Sequence, residues 1–569
     1  LIDISDSTLR KTYGAIYTNP EVVNLILDLV GYSPDKRLHQ FRLLDPAVGE
    51  GAFLTEGVKR LLRSYQSHGG MLEYASTQLA DSVRGIEIHE DTREVCRANL
   101  YAAMVAYGRS HRTTDALLDR WLIDGDFLLW NHDRSSTDDG LRERFDFVVG
   151  NPPYVRQELI APDKILLYRQ QYATIYDRAD LYVPFIEHGL DLLNHGGTLG
   201  FIVADRFMRN RYGKRLRELI VSRYRLKHVI DMHKTSPFAD EVSAYPAVIV
   251  IENTEETRGP VHVVRMERVN ETTCNLARQA LLHGEESRDV AVQWHRFETW
   301  VSGDAPWILE STDYHNVLRK LEQQHPNLTD PVHGIRVGIG VATGADHVFI
   351  IDPVRQKLDV ETQVLLPLVM TRDIAQGDIH WGGKYVINPF ELDGSLINLD
   401  QLPRLRAYFD KHADTIKQRA IAKKSGANWY RTIDRIYPVL RGQPKLLIPD
   451  VKAANHIVKD SGKFYPHHNL YYVLPGVWNI DVLRAILLSS VARFFIWSYA
   501  VKMRGDFLRY QAQYLRRICL PRPESISATH IRTLKDPLLV RNHEALDQEV
   551  ATIYGLTPTE FHIIQSTLA

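Results

Sequence analysis

The sequence predicts an α/β protein, with a doubly wound, mostly parallel sheet joined to a C-terminal domain of mixed α+β type. Three observations carry this. Between residues 40 and 255, apolar runs of strand length alternate with amphipathic runs of helix length. The first of these strands leads through a Gly-containing turn into a helix (LLDPAVGEGAFLTEGVKRLL, 43–62). Beyond a polar stretch with Gly and Pro (NTEETRGP, 253–260), the alternation weakens and Arg, Lys, Trp and Tyr accumulate.

FRLLD (41–45), SVRGIEI (82–88), LIDGDFLLW (122–130), FDFVVG (145–150), GGTLGFIVA (196–204), LKHVIDM (226–232) and YPAVIVIEN (245–253) read as strands or strand ends. VKRLLRSY (58–65), REVCRANLYAAMVAYG (93–108), YVPFIEHGLDLLN (182–194) and YGKRLRELIVSRY (212–224) carry apolar residues at i, i+3 and i+4 and read as helices. Strands alternating with helices at this spacing imply a parallel sheet covered on both faces. The expected division is 1–255 for this domain, 256–330 for a connecting region and 331–569 for the C-terminal domain.

A chain of 569 residues exceeds a single core. Its 44% hydrophobic and 24% charged residues fit soluble domains. No apolar run reaches the ~18 residues of a membrane span, and the opening LIDISDSTLRK lacks the basic-then-apolar pattern of a signal peptide. Cys96, Cys274 and Cys519 are scattered without a CxxC pair, so neither a disulfide framework nor a metal site is expected, and a reducing cytoplasm fits. The net charge of −1 hides an asymmetry. Residues 1–259 carry 32 Lys/Arg against 37 Asp/Glu, whereas residues 401–520 carry 21 against 7. Such a local excess is the electrostatic footprint of a nucleic-acid surface; a solvated helical surface is the plainer alternative.

The chemistry sits at strand ends. Gly49 and Gly51 permit a tight turn and close ligand approach, while Asp45 at the strand tip favours a cationic ligand group, such as the amino group of S-adenosylmethionine, over a phosphate. The phosphate-cradling GxxxxGK[ST] is absent. Glu87 closes the next strand, where an acid can accept from both ribose hydroxyls. Asp126 and Phe127 follow the third, offering an acceptor to an adenine amino group and a ring to its face. Each acid could instead be a helix N-cap. Then FDFVVG runs into Asn151-Pro152-Pro153-Tyr154, where two prolines remove two donors and fix φ twice, ending the strand in a stiff segment.

DPAVGEGAFL, GIEIHED, GDFLLW and FDFVVGNPPY, in that order, resemble the S-adenosylmethionine-dependent DNA N6-adenine methyltransferases of the γ class, the TaqI-like group of restriction–modification systems. The similarity extends through YGAIYTNPEVVNLIL (13–27), ADLYVPFIEHGLDLLNHGGTLGFIVADRFM (179–208) and SPFADEVSAYPAVIVIEN (236–253). It reaches, more loosely, GIRVGIGVATGADHVFII (334–351), LLPLVMTRDI (365–374) and NWYRTIDR (428–435). It implies a Rossmann-like methyltransferase domain and a C-terminal target-recognition domain. The cofactor would meet Tyr17, Thr18, Asp45, Ala47, Gly49, Gly51, Glu87, Ile88, Asp126, Phe127 and Asn151.

The stiff tetrapeptide suits amine methylation. An exocyclic adenine amine is a poor nucleophile because its lone pair is delocalised into the ring. Two acceptors on its N–H bonds, the Asn151 side-chain oxygen and the Pro152 carbonyl, would localise that lone pair and aim it, with no covalent intermediate. Tyr154 supplies a stacking face for a base turned out of the duplex, and the resemblance pairs it with Phe238. None of the cysteines follows proline, which excludes the thiolate needed for cytosine C5. Adenine over N4-cytosine rests on the resemblance, through Asn at the first position of the tetrapeptide.

The candidates for phosphate contact are Lys423, Lys424, Arg431, Lys445, Lys452, Lys502, Arg504, Arg509, Arg516 and Arg517. The partner expected is double-stranded DNA carrying a specific sequence, with a separate cognate endonuclease, and the expected form is a monomer. The expected location is cytoplasmic and nucleoid-associated. With only about a dozen residues ahead of the cofactor-covering segment, a stand-alone enzyme without a fused nuclease is expected. The alternatives are a methyltransferase that uses the same NPPY on RNA or a protein glutamine, and a non-catalytic DNA-binding subunit.

Overall fold

The computed structural model describes residues 18–130, 143–233, 235, 237, 245–285, 289–298, 300, 302–352, 359–375, 377–452, 456–500 and 508–568, without the side chains of residues 72, 375, 451 and 452. It divides into two compact units, 1–312 and 313–569.

The first unit is built on nine strands: β1 Leu43–Asp45, β2 Val83–Glu87, β3 Leu122–Asp124, β4 Phe145–Gly150, β5 Leu193–Ala204, β6 Arg225–Asp231, β7 Pro246–Glu252, β8 Val261–Met266 and β9 Val292–Phe297. Their order is β3-β2-β1-β4-β5-β7-β6-β8-β9. Pairing is parallel from β3 through β5, and β7 enters antiparallel between β5 and β6. The apolar strand runs are continuous because both faces are covered. Alternate residues feed opposite cores: Leu43 and Val149 lie in one, Leu44 and Val148 in the other. The first core takes the buried faces of helices Pro20–Leu29, Ala52–Ser67, Glu90–Ala106 and Glu271–His283. The second takes those of Tyr182–Asp191 and Lys214–Arg223.

Strand order reverses between β1 and β4. At such a switch point the connections leave to opposite faces and open a crevice at the carboxyl ends of the strands. The crevice is bounded by the turn after β1 and the NPPY segment after β4. The long gap between the glycine turn and Glu87 holds the 16-residue helix Ala52–Ser67 and a short helix, Ala75–Gln78.

The expected connecting region, 256–330, differs in structure from that reading. Residues 261–266 and 292–297 are β8 and β9, which extend the sheet, and the first unit runs to residue 312. β8 pairs parallel with β6 and β9 antiparallel with β8.

The second unit is mixed α+β. One antiparallel four-stranded sheet has the order Arg336–Ile339, Leu470–Leu474, Lys445–Pro449, Val458–Asp460. Another has the order Ile350–Ile351, Tyr385–Ile387, Leu365–Val369, Tyr465–Pro466. The largely buried helices Ile480–Leu488 and Ser490–Tyr499 belong to the same unit. Among the described residues, no helix is long and apolar enough to cross a membrane.

Candidate active site

The turn after β1 ends at a glycine whose surroundings leave no room for a side chain. Gly51 has φ of +92° and caps helix Ala52–Ser67; an added Cβ would come 2.7 Å from Cys96 Sγ. Gly150, the last residue of β4, lies equally close to its neighbour, with a Cβ meeting Asp45 Oδ1 at 2.8 Å. The tips of β1 and β4 are therefore in direct contact. A change at Asp45 is felt at the residue preceding Asn151.

Asp45 is buried and its Oδ1 accepts from the Ala47 amide at 3.2 Å. Burial, with a smaller contribution from Glu87, pushes its carboxyl up to about 8. Glu87 is also buried, its two oxygens accepting from the backbone amides of Gly49 and His89, each at 3.0 Å. Those bonds fix the carboxylate at the end of β2 and leave it lone-pair capacity for further donors. Ile88, beside it, is 45% exposed, an apolar surface facing solvent.

Asp126 shows the capping role weighed for it. Its Oδ1 accepts from the Leu128 amide at 3.1 Å. Its Oδ2 accepts from Tyr168 Oη at 2.5 Å and from Lys164 Nζ at 3.3 Å, both on helix Pro162–Gln171. Phe127, expected to offer its ring to an adenine, is 2% exposed and committed to the core, with its ring 5.0 Å from Phe185 and 4.6 Å from His188.

Asn151 follows β4 directly. Its Nδ2 donates to Thr18 Oγ1 at 3.2 Å, and Thr18 is buried. That bond directs the amide oxygen away from Thr18, the orientation an acceptor for an amine requires. Pro152 is buried and Pro153 half-buried, so the segment is wedged as well as stiff. Tyr154 is half-buried, its hydroxyl donating to the Ile202 carbonyl on β5 at 3.2 Å and its ring edge-on to Tyr182. A phenol tethered at its far end presents its ring in one orientation.

The Asn19 amide donates to the Pro237 carbonyl at 3.0 Å, so the chain ahead of the first helix meets the segment between β6 and β7. That segment is anchored where it leaves β6. Asp231 binds His233 Nδ1 at 2.8 Å and Arg265 Nε at 3.2 Å. Burial alone would raise its carboxyl, but the His233 hydrogen bond and the Arg265 charge hold it below the usual range. Tyr17 and Phe238 lie outside the described residues.

In the second unit the basic candidates separate. Lys423 and Lys424 are exposed. Arg516 and Arg517 are exposed too, the first donating to the Val337 carbonyl at 3.1 Å and the second lying 4.8 Å from the Tyr499 ring centroid. Arg431 is half-buried, and Arg509 pairs with Asp450. Lys445 is corrected: it is fully buried and bound to Asp460 Oδ2 at 2.7 Å, so it cannot reach a phosphate. Lys502 and Arg504 lie outside the described residues, as does the side chain of Lys452. Among the described residues, one group has metal-ligand spacing, Asp346, His467 and His468. His467 Nδ1 lacks the acceptor that a metal-bound imidazole normally has.

Sequence reasoning missed Tyr168, Lys164, Tyr182 and the Asp231–His233–Arg265 group. Except for the Asp231–His233 contact, their partners are distant in sequence and only the fold assembles them.

A mostly parallel sheet with β7 inserted antiparallel between β5 and β6, carrying its acids at successive strand ends beside a wedged Asn-Pro-Pro-Tyr, is the architecture of the S-adenosylmethionine-dependent methyltransferases, and fold and site together define that class. The family model for the Eco57I restriction-modification methylase matches residues 81–238. Over 560 residues the chain is 51% identical to the Type II methyltransferase M.BstVI of Geobacillus stearothermophilus, covering 98% of this chain and 99% of that protein. Identity to the Type II methyltransferase M.PaeR7I of Pseudomonas aeruginosa is 44% over 550 residues, 96% of this chain and 92% of that protein. The solved structure of the Type IIL restriction-modification enzyme MmeI in complex with DNA shares the fold, with a TM-score of 0.58 at 13% identity, over 96% of this chain and 76% of that one. The chain belongs to the Type II methyltransferases of restriction–modification systems and methylates DNA with S-adenosylmethionine.

The donor set fits this cofactor: a buried acid for its ammonium, a second for its ribose, and an exposed Ile88 for its adenine. When bound, it supplies an electrophilic sulfonium methyl. With the cofactor ammonium seated on Asp45, the arrangement proposed below, binding would be pH-dependent with a definite sign. Below about pH 8 the carboxyl is protonated in the free protein, so seating a cation against its ionised form releases a proton. Affinity for S-adenosylmethionine is expected to fall toward pH 6 by up to about tenfold per pH unit. Above about pH 8 the ligand's own α-amino group deprotonates, so affinity peaks near there. Calorimetry in buffers of different ionisation heat should count the released proton, and Asp45→Asn should abolish it.

Proposed function

We propose that the methyl acceptor is the exocyclic N6 of an adenine turned out of duplex DNA at a specific sequence. The observation that carries this reading is the Asn151 amide, held at the switch point with its nitrogen on Thr18. In this reading the amide oxygen and the Pro152 carbonyl accept the two N–H bonds of the amine and aim its lone pair. Tyr154 stacks on the extruded base and offsets part of its unstacking cost, with Phe238 as the second aromatic. Asp45 takes the cofactor ammonium, Glu87 the ribose hydroxyls and Asp126 the adenine amino group, with Tyr17, Thr18, Ala47, Gly49, Gly51 and Ile88 lining the cofactor. The second unit reads the target sequence. The modification protects host DNA from a separate cognate endonuclease, and the enzyme acts as a monomer because one extruded base needs one active site.

The test is to incubate the protein with S-adenosylmethionine and unmethylated duplex DNA, digest to nucleosides and identify the product by mass spectrometry. N6-methyladenine is the expected product. N4-methylcytosine would overturn the choice of base while leaving the amine chemistry intact.

For the second unit, the exposed pair Lys423 and Lys424 are assigned to phosphate contact. Replacing both by Ala is expected to weaken binding to all duplexes alike and to reduce the slope of log K against log[salt] by about 2. Titrations at several salt concentrations measure it, and an unchanged slope removes the pair from the interface.

A further inference from the structure

Helix Pro162–Gln171 sends two side chains back to the tip of β3, and cofactor binding as described above gives them no role. Tyr168 is 4% exposed, and its hydroxyl lies 2.5 Å from Asp126 Oδ2. Burial first, and then the Asp126 hydrogen bond, raise the phenol above its ordinary range, so Tyr168 is the donor and the carboxylate the acceptor. Lys164, with a side chain 41% exposed, brings its ammonium to 3.3 Å from the same oxygen. The other oxygen accepts from the Leu128 amide.

A carboxylate offers about four acceptor positions. Three are taken by donors from two different elements, which fixes the plane and tilt of the Asp126 carboxylate and leaves one position for a further donor. The turn Phe127–Trp130 alone, through Leu128, would leave that carboxylate one tether about which to swing. We propose that Tyr168, assisted by Lys164, is a positioning residue for the cofactor's adenine: it sets the direction in which Asp126 accepts the adenine 6-amino group. This rests on the assignment of Asp126 to that amino group. Tyr168 does not touch the cofactor; it acts through the carboxylate. The helix begins eight residues after Tyr154, so the same short stretch of chain that holds the NPPY segment also orients the acceptor for the cofactor's base.

The test compares two ligands, S-adenosylhomocysteine and its analogue with hydrogen in place of the adenine 6-amino group, by calorimetry on four full-length proteins. These are the unaltered chain, Tyr168→Phe, Lys164→Gln and Asp126→Ala, each first checked for a folded circular-dichroism spectrum and thermal transition. A hydrogen bond to a charged group makes the unaltered chain prefer S-adenosylhomocysteine by about tenfold or more. Asp126→Ala should erase that preference. Tyr168→Phe, which removes one oxygen atom, should weaken S-adenosylhomocysteine by about three- to tenfold and leave the analogue unaffected. Lys164→Gln should act in the same direction to a smaller extent. If Tyr168→Phe weakens both ligands equally, the tyrosine merely supports the fold and the proposal is overturned while the Asp126 assignment stands. If Asp126→Ala keeps the full preference, the assignment fails and the proposal falls with it.

Discussion

Asn151→Ala is expected to lower the rate of methyl transfer by about 10²- to 10³-fold at saturating cofactor and DNA. The amide stands at the tip of β4, oriented by a hydrogen bond from its nitrogen to Thr18 and followed by two prolines, one of them buried. Alanine removes the acceptor without disturbing the prolines, so the loss falls on the transfer step. Asn151→Asp keeps an acceptor oxygen, and the Thr18 hydroxyl can turn to donate to the other one, so this variant should retain far more of the rate than Asn151→Ala. Single-turnover measurement of methyl transfer from labelled S-adenosylmethionine distinguishes the two. Equal activity in the alanine variant and the unaltered chain would remove Asn151 from the chemistry.

Lys445→Ala is expected to cost about 3–5 kcal/mol of stability. Lys445 and Asp460 face each other across adjacent antiparallel strands, with side chains 0% and 1% exposed and a separation of 2.7 Å. The ammonium also donates to the carbonyls of Leu440 and Gln443. Asp460 accepts from the backbone amides of Gly462, Lys463 and Phe464, so it shapes the turn that follows its strand as well as neutralising the lysine. Removing the lysine leaves a buried carboxylate without its counter-charge. The double variant Lys445→Met with Asp460→Asn should recover a large part of the loss, because it removes both charges together. Urea or thermal unfolding of the second-unit transition measures this. A Lys445→Ala protein that unfolds normally but binds DNA with a shallower salt dependence would return Lys445 to the phosphate-contacting set.

The lysine also marks where the sequence stops being legible. Its charge is visible in KLLIP, but its burial depends on Asp460, fifteen positions further on across a hairpin. The sheet of the first unit was readable because burial on both faces gives strands as rich in apolar residues as FDFVVG and AVIVIE. β9, VQWHRF, is buried only at its two ends, at the sheet edge, and carries no such signal. It was therefore read as part of a connector. The acids at the tips of β1, β2 and β3 were legible from order and spacing. Phe127 was not: an aromatic after a strand tip looks the same in sequence whether it lines a pocket or fills the core beneath it. Tyr168 was hidden for a further reason, since its partner lies 42 residues away, just past the end of β3.

The placing of β7 has a consequence for how this architecture diversifies. Because β7 runs antiparallel between β5 and β6, Asp231 pairs with Ala247 and Ala204 pairs with Pro246. The segment between β6 and β7 therefore starts and ends on neighbouring strands, with both feet held by the sheet. Lengthening a tethered segment is thermodynamically inexpensive; doubling it adds only about 0.6 kcal/mol of closure entropy. Its tip can thus be rebuilt without shifting the register of any strand or the position of Asn151. Related enzymes are free to vary the length and composition of this segment while the tip of β4 stays fixed.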